Sequence, residues 1–169
     1  MQSHSHDSHE RALVTCSARA TRRLGRAVAA RAEPGDLICL RGDLGAGKTT
    51  FVQGLAEGLA VSDPVTSPSF TLIHEHQGSL KLYHLDLYRL RPGDLGDIGV
   101  EELLEGEAVV AVEWSERMPP ELCRDGLVIE VQFEEGDVDA RRFHLRGRGP
   151  RGRRLLDGLV EDPNASACA

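Results

Sequence analysis

Eight consecutive residues, Gly42-Asp43-Leu44-Gly45-Ala46-Gly47-Lys48-Thr49, satisfy the spacing G-x-x-x-x-G-K-[ST]. That spacing suits the phosphates of a nucleoside triphosphate. Glycines let the backbone curl until its N–H groups point inward, and a helix N-terminus behind them adds positive potential. Lys48 is placed to reach the β- and γ-phosphates, Thr49 to offer a hydroxyl to Mg²⁺, and Thr50 to touch the α-phosphate. Such a loop needs a carboxylate at a nearby strand end. Asp86, after Leu82-Tyr83-His84-Leu85, and Glu113, after the apolar run Ala108–Val112, are the two candidates. A carboxylate at the tip of a buried strand is costly unless it is paired or close to a metal. One is expected to orient Mg²⁺ and the other to align the attacking water; spacing leaves the assignment open.

The elements that must position these residues are legible as patterns. Ser17 can cap a helix over 18–32 with Leu24, Val28 and Ala32 on one face, and Pro34-Gly35 breaks it. Leu37-Ile38-Cys39-Leu40 reads as a strand buried on both faces, with Cys39 packing as a small hydrophobe. A helix over 49–59 follows the loop, carrying Phe51, Leu55 and Leu59 at four-residue spacing. Strands are expected at 70–74 and 80–87, joined near Gln77-Gly78-Ser79. A loop is expected at 92–99, a short helix at 100–105 and a buried strand at 108–112. Segments 127–133 and 141–145 alternate like a hairpin around an acidic turn, and 155–160 suggests a closing turn of helix. These patterns predict an α/β, P-loop NTPase-like mixed sheet flanked by helices. They place one compact domain at 13–160, with disordered tails at 1–12 and 161–169.

Composition narrows the function. With 169 residues, 40% hydrophobic and 28% charged, the chain reads as one globular domain. No apolar run approaches ~18 residues and no signal-peptide pattern is present, which predicts a cytoplasmic protein. The four cysteines form no C-x-x-C pair, so neither a zinc site nor a redox motif is indicated. His74 and His76 could face one metal, but no third ligand is apparent. The net charge of −7 argues against generic nucleic-acid binding. Seven arginines between Arg141 and Arg154 form either a solvated surface or a docking site for a partner or RNA backbone. Guanine recognition by N-K-x-D is impossible, since the only asparagine is Asn164 and the only lysines are Lys48 and Lys81. No L-S-G-G-Q run exists. A small-molecule kinase and a nucleotide-sensing module that barely hydrolyses stay open beside an ATPase.

Four ordered segments resemble one family. The stretch Gly42 to Leu55 resembles the P-loop of the bacterial TsaE (YjeE) family, the ATPases of tRNA threonylcarbamoyladenosine synthesis. Val65-Thr66-Ser67-Pro68-Ser69-Phe70, His84-Leu85-Asp86-Leu87-Tyr88-Arg89-Leu90 and Val112-Glu113-Trp114 resemble the same family in the same order. Thr21 and Leu24-Gly25 also fit its first helix, and the likeness spans roughly 13–135. The resemblance implies a weak ATPase that binds ATP or ADP with Mg²⁺ and works with TsaD and TsaB on tRNA. Direct contact with the tRNA is left open. By position it implies Lys48 on phosphate, Thr49 and Asp86 on Mg²⁺, Glu113 near the metal and γ-phosphate, and Trp114 beside the site. Trp114, the only tryptophan, could equally be a packing residue. Ser67 to Phe70 resembles a switch-like segment, and Ser69 stands where the family has Thr. Arg89 could neutralise phosphate or pair with a nearby acid. His84 is as readily a hydrogen-bonded strand residue as a catalytic one.

Overall fold

Alternation along the strands decides which side chains meet. In the computed structural model, which describes residues 9–91, 94 and 99–160, strand β2 (Leu37–Arg41) sends Ile38 and Leu40 to one face and Leu37 and Cys39 to the other. Both faces are covered, so β2 reads as a continuous apolar run. The remaining elements are β1 (Glu10–Thr15), α1 (Ala18–Ala29), α2 (Lys48–Gly58), β3 (Ile73–His76), β4 (Lys81–Asp86), α3 (Val100–Glu105), β5 (Ala108–Glu113), β6 (Gly126–Phe133), β7 (Arg141–Arg148) and α4 (Gly149–Val160).

The strands form one sheet of seven, ordered β1-β7-β6-β2-β5-β4-β3. The middle, β6-β2-β5-β4, is parallel, and the edges are antiparallel additions. This is the expected mixed α/β sheet flanked by helices. Helices α1, α2 and α4 cover one face with a core that includes Phe51, Val52, Leu55, Phe143 and Leu155. The other face carries α3 and two short 3₁₀ turns, Ser115–Arg117 and Pro120–Cys123, over Leu85, Val110 and Val112. Cys39 is buried there, as the apolar run implied, with its thiol 2.7 Å from that of Cys123. No helix among the described residues is long and apolar enough to cross a membrane.

Several expectations shift. Strand β1 begins at Glu10, ahead of the boundary set at 13, because it pairs antiparallel with β7 from the far end of the chain. The rest of the expected N-terminal tail, residues 1–8, and the tail at 161–169 lie outside the described residues, as does most of the expected loop at 92–99. Helix α1 ends at Ala29 rather than 32, its last turn closed by the N–H of Ala30 on Arg26. Residues 70–72 are a turn and not strand: Leu72 takes a left-handed φ of 73° and donates its N–H to Pro68. Helix α4 is twice the expected length. Gly149, at φ 63°, stops β7, and the Asp125 carboxylate caps the helix start by accepting from the N–H of Arg151.

Much of the arginine-rich stretch is engaged in ion pairs at the surface of the fold. Arg142 pairs with Glu134 and Arg146 with Glu10. Arg151 and Arg154 converge on Asp36, which is fully buried in the turn that feeds β2.

Helix α2 can reach its place only because α1 lets it come close. A Cβ on Gly25 would collide with the carbonyl of Phe51, and one on Gly54 with the carbonyl of Arg22. Gly54→Ala is therefore expected to lower stability by roughly 1–3 kcal/mol. Gly106→Ala, whose Cβ would meet nothing closer than 3.4 Å, should change it by less than about 0.5 kcal/mol. Urea unfolding of the two variants checks the pair.

Candidate functional site

The site assembles where three parallel strands end. In β4 the side chains of Leu82, His84 and Asp86 share a face, and in β5 those of Val109, Ala111 and Glu113 do the same. Leu82, Val109 and Ala111 pack into the α2 core, so Asp86 and Glu113 emerge on that same face at the carboxyl ends of their strands. They are register partners on neighbouring strands. The end of β2, beside β5, delivers the loop 42–47 to the same edge. Open α/β sheets bind ligands at this position.

The loop has the predicted curl. Gly42, Gly45 and Gly47 all take positive φ, at 142°, 76° and 109°. Gly42 has a second reason to be glycine, since a Cβ there would meet the carbonyl of Val131. Helix α2 starts at Lys48 with Gly47 as N-cap and no side-chain cap. Its first N–H groups are thus left for a ligand. Lys48 Nζ folds back onto the carbonyls of Gly42 and Asp43, at 2.6 and 2.8 Å. It also lies 4.4 Å from the centre of the Trp114 ring. Burial lowers its pKa below the ordinary lysine value, while Glu113, Glu116, Asp86 and Asp43 pull it back up.

The two carboxylates are almost fully buried, Asp86 at 4% exposure and Glu113 at 2%. Asp86 Oδ2 accepts from Ser67 at 2.6 Å and Ser69 at 3.2 Å, and Oδ1 accepts from the N–H of Tyr88 at 2.9 Å. Glu113 Oε1 accepts from the Thr49 hydroxyl at 2.8 Å, and Oε2 is 2.6 Å from His84 Nε2. A Thr49 hydroxyl that donates to Glu113 keeps its lone pairs for a cation. Trp114 follows with φ 59°, a left-handed conformation uncommon for a bulky residue. Its ring sits 5.0 Å from Tyr88 and over Lys48.

A cleft of ≈ 280 Å³ runs between these groups, lined by Leu44, Gly45, Gly47, Lys48, Thr49, Thr50, Asp86, Glu113 and Trp114 together with Ser67, Ser69 and Tyr88. Of the sequence-predicted residues, Asp43 and Ala46 are not on its wall. Asp43 contributes its carbonyl to Lys48, and the fully buried Ala46 packs beneath the loop. His74 and His76 stand away from the cleft with their rings 6.0 Å apart, and among the described residues no group of three His, Cys, Asp or Glu could hold a metal. Arg89 lies over the exposed ring of Phe70, at 4.1 Å. Spacing gave no hint of Arg141, whose Nε donates to the carbonyl of Ala46 at 3.0 Å and so braces the loop from 95 residues away.

The donor set fits Mg²⁺ bound through a nucleotide. That ion is held by one or two carboxylates plus substrate phosphates and keeps several waters, rather than sitting in an all-protein cage. Asp86, Glu113 and the Thr49 hydroxyl offer that number of oxygens beside an uncapped helix start.

Comparison with known proteins places the chain in a family. The family model described as "Threonylcarbamoyl adenosine biosynthesis protein TsaE" matches residues 15–143. The chain is 40% identical over 147 residues to "tRNA threonylcarbamoyladenosine biosynthesis protein TsaE" of Bacillus subtilis (strain 168), covering 86% of this chain and 91% of that one. It is 47% identical over 116 residues to the protein of the same description from Nostoc sp., covering 66% of this chain and 70% of that one. Among solved structures, "Crystal structure of Bacillus subtilus YdiB" superposes with a TM-score of 0.79 at 36% identity, over 92% of this chain and 97% of that one. The loop, the two strand-end carboxylates and the tryptophan all lie within the matched span, and this chain belongs to the TsaE family.

Proposed function

We propose that this chain is a Mg²⁺-dependent ATPase that supports threonylcarbamoyl modification of the tRNA adenosine beside the anticodon, acting with a TsaD–TsaB complex. The observation that carries the ATPase reading is the convergence of Lys48, Thr49, Asp86 and Glu113 on one cleft at the start of an uncapped helix. The pathway rests on the family to which the chain belongs, and the partners on the resemblance of its motifs to that family.

The residues divide the work as follows. Lys48 exchanges the carbonyls of Gly42 and Asp43 for the β- and γ-phosphate oxygens, where its charge opposes the charge of the transition state. The N–H groups at the start of α2, including those of Thr49 and Thr50, cradle the phosphates. Thr49 and Asp86 would hold Mg²⁺, which when bound would neutralise charge on the transferred phosphoryl group. The bonds that Asp86 Oδ2 accepts from Ser67 and Ser69 tie loop 67–69 to this carboxylate, while Oδ1 keeps a lone pair for the ion. Glu113 fixes the Thr49 hydroxyl and lies where it can align water for in-line attack.

Hydrolysis measured on the purified protein, alone and with TsaD–TsaB and tRNA, tests this reading. Slow turnover alone and clear stimulation by the partners are expected. Product phosphate appearing only with an added small-molecule acceptor would favour a kinase instead. Tight nucleotide binding with no hydrolysis under either condition would favour a sensing module. Lys48→Ala should weaken ATP binding by roughly 10- to 100-fold, in line with the loss of charge-assisted hydrogen bonds worth about 1.5–3 kcal/mol. Glu113→Ala should lower the hydrolysis rate on the order of 10²-fold or more. Asp86→Ala should abolish the hydrolysis that Mg²⁺ supports. A variant of either carboxylate that hydrolyses ATP like the parent would contradict its assignment.

A further inference from the structure

His84 lies on β4, one strand in from the β3 edge of the sheet, with no exposed surface. Its neighbours in register are His74 on β3 and Ala111 on β5. Nε2 sits 2.6 Å from Glu113 Oε2, while Nδ1 is buried and has no hydrogen-bond partner among the described residues. A carboxylate can only accept, so Nε2 carries the proton and donates it. One ring nitrogen is thus committed to Glu113 and the other is left unsatisfied. An unpartnered buried polar atom is destabilising, and an apolar side chain of similar size would suit this position better on packing grounds alone. What His84 supplies that an apolar residue cannot is the hydrogen bond to Glu113.

That bond has a directional consequence. Glu113 ends a fully buried strand, and its two oxygens have separate partners, the Thr49 hydroxyl on Oε1 and His84 on Oε2. With Oε2 held, the carboxylate cannot rotate away from the loop, and Oε1 stays on Thr49. We propose that His84 is a positioning residue. It fixes the Glu113 carboxylate so that Glu113 in turn holds the Thr49 hydroxyl toward the Mg²⁺·nucleotide. Chains of this kind, in which an outer partner orients a ligand-bearing group, typically change metal affinity or activity by about 10- to 100-fold when the outer partner is removed. The inference rests on the ATPase reading for its consequence, but the hydrogen bond itself exists without nucleotide.

The test therefore begins on the nucleotide-free protein. ¹⁵N NMR of the histidine rings should show one ring N–H that is protected from exchange and shifted downfield. It should be absent in His84→Ala and moved in Glu113→Gln. A missing signal, or one that Glu113→Gln leaves in place, overturns the proposal. The second readout is Mg²⁺ affinity of the ATP-loaded protein, with single-turnover hydrolysis alongside. His84→Ala should weaken Mg²⁺ binding and slow the step roughly tenfold or more, with ATP affinity measured in EDTA unchanged. His84→Gln, which keeps a side-chain N–H donor, should recover most of the loss. Removing His84 from Glu113→Gln should then have little further effect, because the two act through one path. Additive losses, or equal impairment in the Ala and Gln variants, would make His84 a packing residue and overturn the proposal. If the parent binds Mg²⁺·ATP yet hydrolyses none, the ATPase reading fails while the resonance and the Mg²⁺ cycle still decide the role of His84.

Discussion

Three charged side chains, Lys48, Asp86 and Glu113, are almost wholly removed from water at the end of one sheet. Isolated charges in such a place would be expensive, and each has been given partners that offset the loss of hydration. Lys48 has two carbonyls and an aromatic face. Asp86 has two serines and a backbone N–H. Glu113 has a threonine and a histidine. Neither Lys48 nor Asp86 has an opposite full charge in direct contact. The charges are held in place without being neutralised by one another, as the proposed binding of a triphosphate and its cation requires. Much of the fold can be read as the means of keeping that arrangement.

The loop must end where α2 begins, and α2 must lie flat on the sheet, so α1 meets it through Gly25 and Gly54, where a side chain would push the helices apart. The strand that feeds the loop is anchored at its start by Asp36, on which Arg151 and Arg154 of α4 converge. Arg141, at the start of β7, braces the loop through the carbonyl of Ala46. The basic stretch near the C-terminus is in this sense part of the support for the phosphate loop. An RNA-docking role would have to be carried by what these contacts leave free.

The parts of this picture that follow local rules could be read in the sequence. The glycine spacing dictates the loop, the apolar runs dictate β2 and β5, and period-two alternation is enough to bring Asp86 and Glu113 to one edge. What escaped were features set by partners far along the chain. Glu10 to Ala12 carry too weak a pattern to announce a strand and become one by pairing with β7. The extra turns of α4 depend on a cap from Asp125, and residues 70–72 turn because Leu72 bonds back to Pro68. The brace from Arg141 and the bond between His84 and Glu113 join residues on different elements, and spacing carries no trace of either. Their residue types were visible, but their contacts were not.

Trp114 gives direct access to the central claim. It is the only tryptophan in the chain, and its ring lies over Lys48, the lysine proposed to bind the phosphates. Its fluorescence should be followed as ATP is added to the purified protein, with Mg²⁺ and with EDTA in its place. A saturable change with Mg²⁺·ATP, occurring at higher nucleotide concentration when the cation is withheld, is the result predicted by a site in which Lys48, Thr49, Asp86 and Glu113 together hold nucleotide and metal. A spectrum that does not respond to Mg²⁺·ATP at millimolar concentration, in protein that is folded by its thermal transition, would contradict it.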